Sequence, residues 1–380
     1  MALGGTRARF ALPLALLLLA CFAAPAGARD PGRWTLTGWS SVSNFYWEGM
    51  TSDPRGNVYF DGITQGLYRT APSLRQTRAN DFEIPESVRA AEGYNHIGDI
   101  GYDDAEGGRV LLPLECYDPA RGNTCGTGSI GVADPRTLGF RYYVKLDPAE
   151  IPKAMWVEPS PDGQLLWTSS GADLLAYRAA DVDPANAGPT AAPIHAVRRL
   201  PGATPPSGIT GGAFIGGRLF LAGQDAGPFQ VWSVDPATGA GRLEIELPAV
   251  VGESEGLHAM RLLGGELHWL IAPLGASLTF PPTVAVLHFA RVTGRPGLRV
   301  SVAVRRARSL RPRVVVKVTR RGRPVPGARV SFAGGPARTA RDGKAKLIAA
   351  LGAPGTFRAL ARKGALRGRS RAVRVGPAKS

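Results

Sequence analysis

The chain has 380 residues, 44% of them hydrophobic and 20% charged, with a formal net charge of +16. It is long enough for more than one packed domain and too apolar for an intrinsically disordered chain. Three cysteines exclude a small disulfide scaffold, and no continuous apolar stretch reaches the length of a membrane-spanning helix.

In chain order, Arg7 and Arg9 precede an apolar run from Phe10 to Phe22, and Ala26-Gly27-Ala28 follows as a small-x-small cleavage site. Positive, apolar and small-residue regions in that order form a secretory signal peptide, here residues 1–28. The run is short and contains Pro13, which argues against a membrane anchor. Leu18-Leu19-Ala20-Cys21 partly resembles a lipoprotein box, with Leu19 a poor fit, so lipidation at Cys21 is the weaker of two export routes. The expected location is outside the cell, secreted or associated with the envelope.

Trp34 to Trp47 is rich in aromatic and β-branched residues and reads as strand, placed to pair beside a late strand near Val284–Arg291 and close a ring. Between about residues 48 and 291 a loose unit returns five times, starting near Glu48, His96, Trp156, Gly211 and Glu255. Each copy combines a turn rich in Asp, Gly and Pro with alternating apolar and polar residues. Such a period, built of short strands, predicts a β-propeller over residues 29–292. Five or six blades fit the length, and the irregular stretch from Asp181 to Ser207 is where strands of a sixth are expected. One short helix is expected from Pro85 to Ala91. Cys116 and Cys125, nine positions apart in a loop of an exported chain, predict a disulfide.

A turn-rich linker at 293–297 leads to a segment of different charge. From Thr293 to the end there are 24 Lys or Arg against the single acid Asp342, whereas the rest of the chain is net acidic. Short alternating strands recur through residues 298–380, joined by the turns GRPVPGA (322–328), TARDGKA (339–345) and GAPGTF (352–357). This segment resembles bacterial immunoglobulin-like and carboxypeptidase regulatory-like domains, which implies a small β-sandwich used as a spacer or binding module. The expected whole is therefore all-β, a five- or six-bladed propeller followed by a basic Ig-like sandwich. Arg305, Arg306, Arg308, Arg311, Arg313, Arg320, Arg321, Arg323, Arg367, Arg369, Arg371 and Arg374 crowd positive charge there. Outside the cell their partners are anionic envelope polymers or lipid head groups. Phe332 and Phe357 are the segment's only aromatics, too few for specific nucleic-acid recognition.

In the propeller, His96-Ile97-Gly98-Asp99-Ile100 with Leu112-Pro113-Leu114-Glu115, and the pairs Glu48-Gly49 and Glu255-Gly256, resemble elements of exported bacterial propellers, calcium-dependent lactonases and soluble quinoproteins. The start of each repeat lies near one channel mouth, so Glu48, His96, Asp99, Glu158, Glu255 and His258 are the candidate ligand-binding residues. Converging carboxylates would hold Ca²⁺ or share protons with a histidine base. No nucleophile elbow, zinc-binding helix or phosphate-binding glycine loop is present in the sequence. The sequence thus favours a non-catalytic, envelope-associated binding protein, with no assigned catalytic residue and Ca²⁺ as the one cofactor considered. The alternative is a Ca²⁺-dependent, lactonase-like hydrolase or a quinoprotein-type oxidoreductase working in the channel.

Overall fold

The computed structural model describes residues 33–62, 65–206, 208–224, 228–247, 252–272 and 284–377. The expected signal peptide, with Arg7, Arg9 and Cys21, lies outside the described residues.

Five antiparallel sheets follow one another along the chain among the described residues. The first joins Met50–Ser52, Val58–Asp61, Leu67–Thr70 and Gln76–Asn80. In the second, His96–Ile97 and Gly101–Asp103 both pair with Arg109–Glu115, which continues to Ser129–Ala133 and Phe140–Lys145. The third contains Glu158–Pro159, Leu165–Ser170, Asp173–Arg178 and Arg198–Leu200. The fourth contains Gly208–Ile215, Arg218–Gln224, Phe229–Val234 and Gly241–Leu247. The fifth joins Glu253–Leu262, Gly265–Ala272, Val284–Val292 and the N-terminal strand Arg33–Val42.

Local sequence explains these hairpins. Asp53, Asp134 and Asp235 each open a turn by accepting backbone N–H bonds from Asn57, Arg136 and Ala237, all at 2.8 Å. The middle strands of each sheet are buried, as in Arg109–Glu115, where every residue is buried. The innermost strands touch in cyclic order, first to second and so on, with the fifth returning to the first. A ring of radially arranged sheets is a β-propeller, and it leaves no sheet edge at its centre. The N-terminal strand closes the fifth sheet beside the expected partner strand, with Trp34 opposite Arg291 and Val42 opposite Val284.

The stretch after Asp181 forms no separate sheet: Arg198–Leu200 pairs with Leu174, Leu175 and Ala176 and completes the third. Those residues had been obscured by a loop held on two short 3₁₀ turns. The short helix forms over Glu86–Glu92, closed by Gly93 at φ 82°. The disulfide Cys116–Cys125 is present, with a Cα separation of 5.0 Å.

Beyond the turn at 293–297 the chain forms two further sheets around a core of Val300, Val314, Val316, Val318, Val330, Phe332 and Phe357. This layer does not stand apart from the ring. Gly355–Phe357 hydrogen-bonds to Gly38–Ser40 of the N-terminal strand and carries Val373–Val375 beyond it. Arg358 N–H donates to Thr37 O at 2.7 Å, and Gly352 N–H to Ser73 O at 2.6 Å. The two parts share a continuous sheet, because the strand that closes the ring offers its second edge to residues 355–357.

Candidate functional site

The ring converges on Asp99. Its Oδ1 accepts the Met50 N–H at 3.0 Å, and its Oδ2 accepts those of Gly212 at 3.3 Å and Leu257 at 3.2 Å. Its own backbone forms a parallel bridge with Trp156. One carboxylate therefore ties together the innermost strands of the first, second, fourth and fifth sheets, with the third attached through the main chain. Burial pushes the Asp99 carboxyl above its usual range, against the opposing pull of these N–H groups. The glycines beside it are required by closeness: a Cβ on Gly256 would lie 2.5 Å from Asp99 Oδ1, and one on Gly211 2.6 Å from Oδ2. The Glu-Gly pair at 255–256 thus places a side chain at the mouth and a bare backbone at the axis.

Asp99 also separates two cavities. On one side Glu48, His96, Glu115, Lys153, Glu253 and Glu255 line a cavity of about 150 Å³. On the other, Glu158 and His258 line a wider one with Ser52, Asp103 and Phe214. The six sequence candidates consequently do not form one ring. Glu48, His96, Asp99 and Glu255 come together, while Glu158 and His258 belong to the opposite mouth. There Glu158 Oε1 accepts the Phe214 N–H at 3.0 Å, and burial raises its pKa to about 8. His258 Nε2 meets Ser52 Oγ at 2.8 Å, and burial, with the charge of His268, lowers its pKa to about 3.

The smaller cavity is an acid–base cluster. His96 Nε2 lies 3.3 Å from Glu48 Oε1, and Lys153 Nζ lies 3.0 Å from Glu115 Oε2. Burial alone would lower the His96 pKa, but hydrogen bonding to Glu48 and the charges of Glu48 and Glu115 outweigh it and raise it. Glu255 behaves oppositely. Burial and then the charges of Glu48, Glu253, Asp61 and Asp99 push it well above the usual carboxylate range, favouring the protonated acid. Glu253 is raised by burial and by Glu48. Asp61 is fully buried, and burial followed by the charges of Glu48 and Asp99 raises it strongly. Tyr117, whose ring centre lies 5.5 Å from that of His96, stands at the rim and is 43% exposed. The disulfide hairpin holds it there, and Asn95 clamps both its N–H and its C=O.

Glu115, Lys153, Glu253 and Tyr117 were not among the sequence candidates. Glu115 lies directly opposite His96 in the strand register, and Glu253 sits two positions before Glu255 on the same strand. Both were accessible to a strand-pairing argument. Lys153 comes from an irregular loop and carried no such signal. Among the described residues, three metal-ligand side chains gather only outside the channel, at Asp147, Glu150 and His195. Of the twelve arginines singled out in the basic segment, all but the half-buried Arg367 are exposed.

No protein-family model matches the chain, and no curated protein matches it in sequence. Among solved structures it is similar to an exo-β-1,3-galactanase from Phanerochaete chrysosporium in complex with β-1,3-galactotriose, at 10% identity, 90% of this chain, 94% of that one and a TM-score of 0.43. It is also similar to a GH43 β-1,3-galactosidase, at 10% identity, 85% of this chain, 75% of that one and a TM-score of 0.44. A third is the PQQ-bound aldose sugar dehydrogenase from Streptomyces coelicolor, at 11% identity, 69% of this chain, all of that one and a TM-score of 0.36. Likenesses this distant do not transfer an activity, and the functional reading rests on the cavity.

Proposed function

We propose that the chain is an exported, five-bladed propeller hydrolase with an Ig-like C-terminal sandwich, and that it acts by acid–base catalysis in the cavity bounded by Glu48, His96, Glu115, Lys153, Glu253 and Glu255. The observation that carries this reading is the convergence of Glu48, His96, Glu115, Glu253 and Glu255 on one small cavity. Glu255 favours its protonated form while Glu48 is paired with a histidine whose pKa is raised. Glu255, raised by burial and its acidic neighbours, supplies an acid, and Glu48, held by His96, is the carboxyl placed beside it to act as base. Glu255 donates its proton to the leaving oxygen. Glu48, oriented by His96, takes a proton from the attacking water as the new carbon–oxygen bond forms and the old one breaks. Lys153 holds Glu115 in place as a second charged wall.

The residues do not fit the Ca²⁺ considered from sequence. A Ca²⁺ ion would have to draw Glu48 from His96 and Glu115 from Lys153. The leader-like N-terminus and the disulfide support export.

The test is hydrolysis of a panel of chromogenic glycosides and lactones by the purified protein. Activity on at least one class is expected, with a bell-shaped pH profile, and Glu255→Gln should lower kcat by about 10²-fold or more. Turnover unchanged in Glu255→Gln, or no hydrolysis across both classes, would overturn the proposal.

A further inference from the structure

We propose that the outward face of the sheet formed by Arg299–Arg305, Arg313–Arg320 and Lys344–Ile348 is a docking surface for a linear, phosphate-bearing polymer of the cell envelope. Alternation puts Val300, Val314, Val316, Val318 and Ala345 into the core. The same alternation turns Arg299, Arg305, Arg313, Lys317, Lys344 and Lys346 to solvent. Strand pairing sets Arg305 directly opposite Arg313, and Lys317 directly opposite Lys344. Like charges facing each other across strands are destabilising, so the fold itself gains nothing from this arrangement. Only Lys344 has an acidic partner, Asp342 at 3.4 Å; the other five form no ion pair among the described residues.

Codon drift does not account for the face. GC-rich codons favour arginine and disfavour lysine, yet three of its six cations are lysines, out of five lysines after residue 292. A selected cationic surface does account for it.

The chemistry also distinguishes among polyanions. From Arg299 to Arg305 the strand runs about 20 Å, so an extended polymer meets several cations where a small anion meets one. Guanidinium groups engage phosphate oxygens in pairs, which favours phosphate over a diffuse negative surface. The face carries no aromatic ring on which a base would stack. Its single exposed large apolar side chain, Ile348 at 59% exposure, is too little to anchor in a bilayer.

The experiment measures binding of the full chain to long-chain inorganic polyphosphate across a salt series. The variant Arg305→Gln/Arg313→Gln/Lys317→Gln/Lys346→Gln removes the face. Arg341→Gln/Arg362→Gln/Lys363→Gln removes exposed cations elsewhere in the same segment. The first should lose about tenfold or more in affinity and flatten the dependence of log K on log salt by about 3, because fewer counterions are released. The second should stay within about twofold. The first variant should also melt no lower than the unaltered chain, since like-charge pairs are removed. Equal losses in both variants would overturn the proposal, as would a lower melting temperature for the face variant. Tighter binding of phosphatidylglycerol vesicles or single-stranded DNA than of polyphosphate, at equal phosphate, would overturn it too.

Discussion

Both carboxylate oxygens of Asp99 are occupied by backbone N–H groups from three different strands. Removing that acceptor strands three donors in a site that is 3% exposed. A buried unsatisfied donor costs about 1–3 kcal/mol, so Asp99→Ala should lower unfolding free energy by roughly 3 kcal/mol or more. Asp99→Asn, which keeps one oxygen acceptor, should lose less. Urea denaturation checks both, and a loss below about 1 kcal/mol for the alanine variant would show that the axis is held by packing instead. The sequence made Asp99 conspicuous through its Gly-Asp-Ile setting but did not separate a ligand from a structural tie. That distinction depends on which strands surround it, as does the partnership of Glu115 with His96. Glu48 and Glu255 were legible because glycine follows each, and the structure supplies the reason at Gly256. Lys153 was not legible, because an irregular loop imposes no periodicity from which to infer its direction.

The N-terminal strand and the disulfide hairpin show two ways an element can be read. The strand was recognisable from its aromatic and β-branched residues, and its role followed from the need to cover an edge. Its second partner was not predictable, since residues 355–357 carry no mark of belonging to another layer. With one edge on Val284–Val292 and the other on Gly355–Phe357, the strand makes the ring and the C-terminal layer one hydrogen-bonded body. The stacking of His288 on Phe357, 5.9 Å between ring centres, continues that joint through side chains. The full chain should therefore unfold in one calorimetric transition, and a truncation ending at residue 292 should aggregate through its exposed strand edge. Two well-separated transitions would contradict this coupling. The hairpin closed by Cys116 and Cys125 is expected to contribute about 2–3 kcal/mol by restricting the unfolded chain. Because the same hairpin carries Tyr117 against His96, Cys116→Ser/Cys125→Ser should also raise KM for any substrate found. Loss of stability with KM unchanged would place the hairpin outside the site.

For the whole molecule, the distribution of buried ionisable groups sets a definite pH dependence. His258 and His268 have their pKa lowered to about 3 and about 4, and His288 is lowered well below 6.5, in each case chiefly by burial. His268 and His288 share a 2.9 Å contact between their Nδ1 atoms, with Met260 O and Ser40 Oγ at the two ends. That chain is satisfied with both rings neutral: His268 Nε2–H donates to the carbonyl, His288 Nδ1–H donates to His268, and Ser40 donates to His288 Nε2. These three groups stabilise fully above pH 6.5, and the stabilisation is lost as pH falls from there toward about 4. Raised carboxyls act in the other direction. Glu83 and Glu158 are shifted by burial to about 8, and Asp61 and Glu255 are also raised well above their ordinary values. Their contribution is present below about pH 4 and is lost as pH rises toward 8. His96, raised by its acidic neighbours against burial, adds stability on the acid side as well. Between pH 4.5 and 6.5 the two sets oppose each other, and the raised carboxyls, which also include Asp99, Glu115 and Glu253, outnumber the three lowered histidines. Above pH 6.5 only the destabilising ionisations remain. The melting temperature should therefore be highest in mild acid, near pH 5, and decline steadily to pH 8. Glu158→Gln should flatten that decline by removing one ionisation, whereas His268→Gln should act only on the acid limb. A melting temperature that rises from pH 5 to pH 8 would show that these carboxyls are ionised in the folded protein, and with them the acid proposed at Glu255.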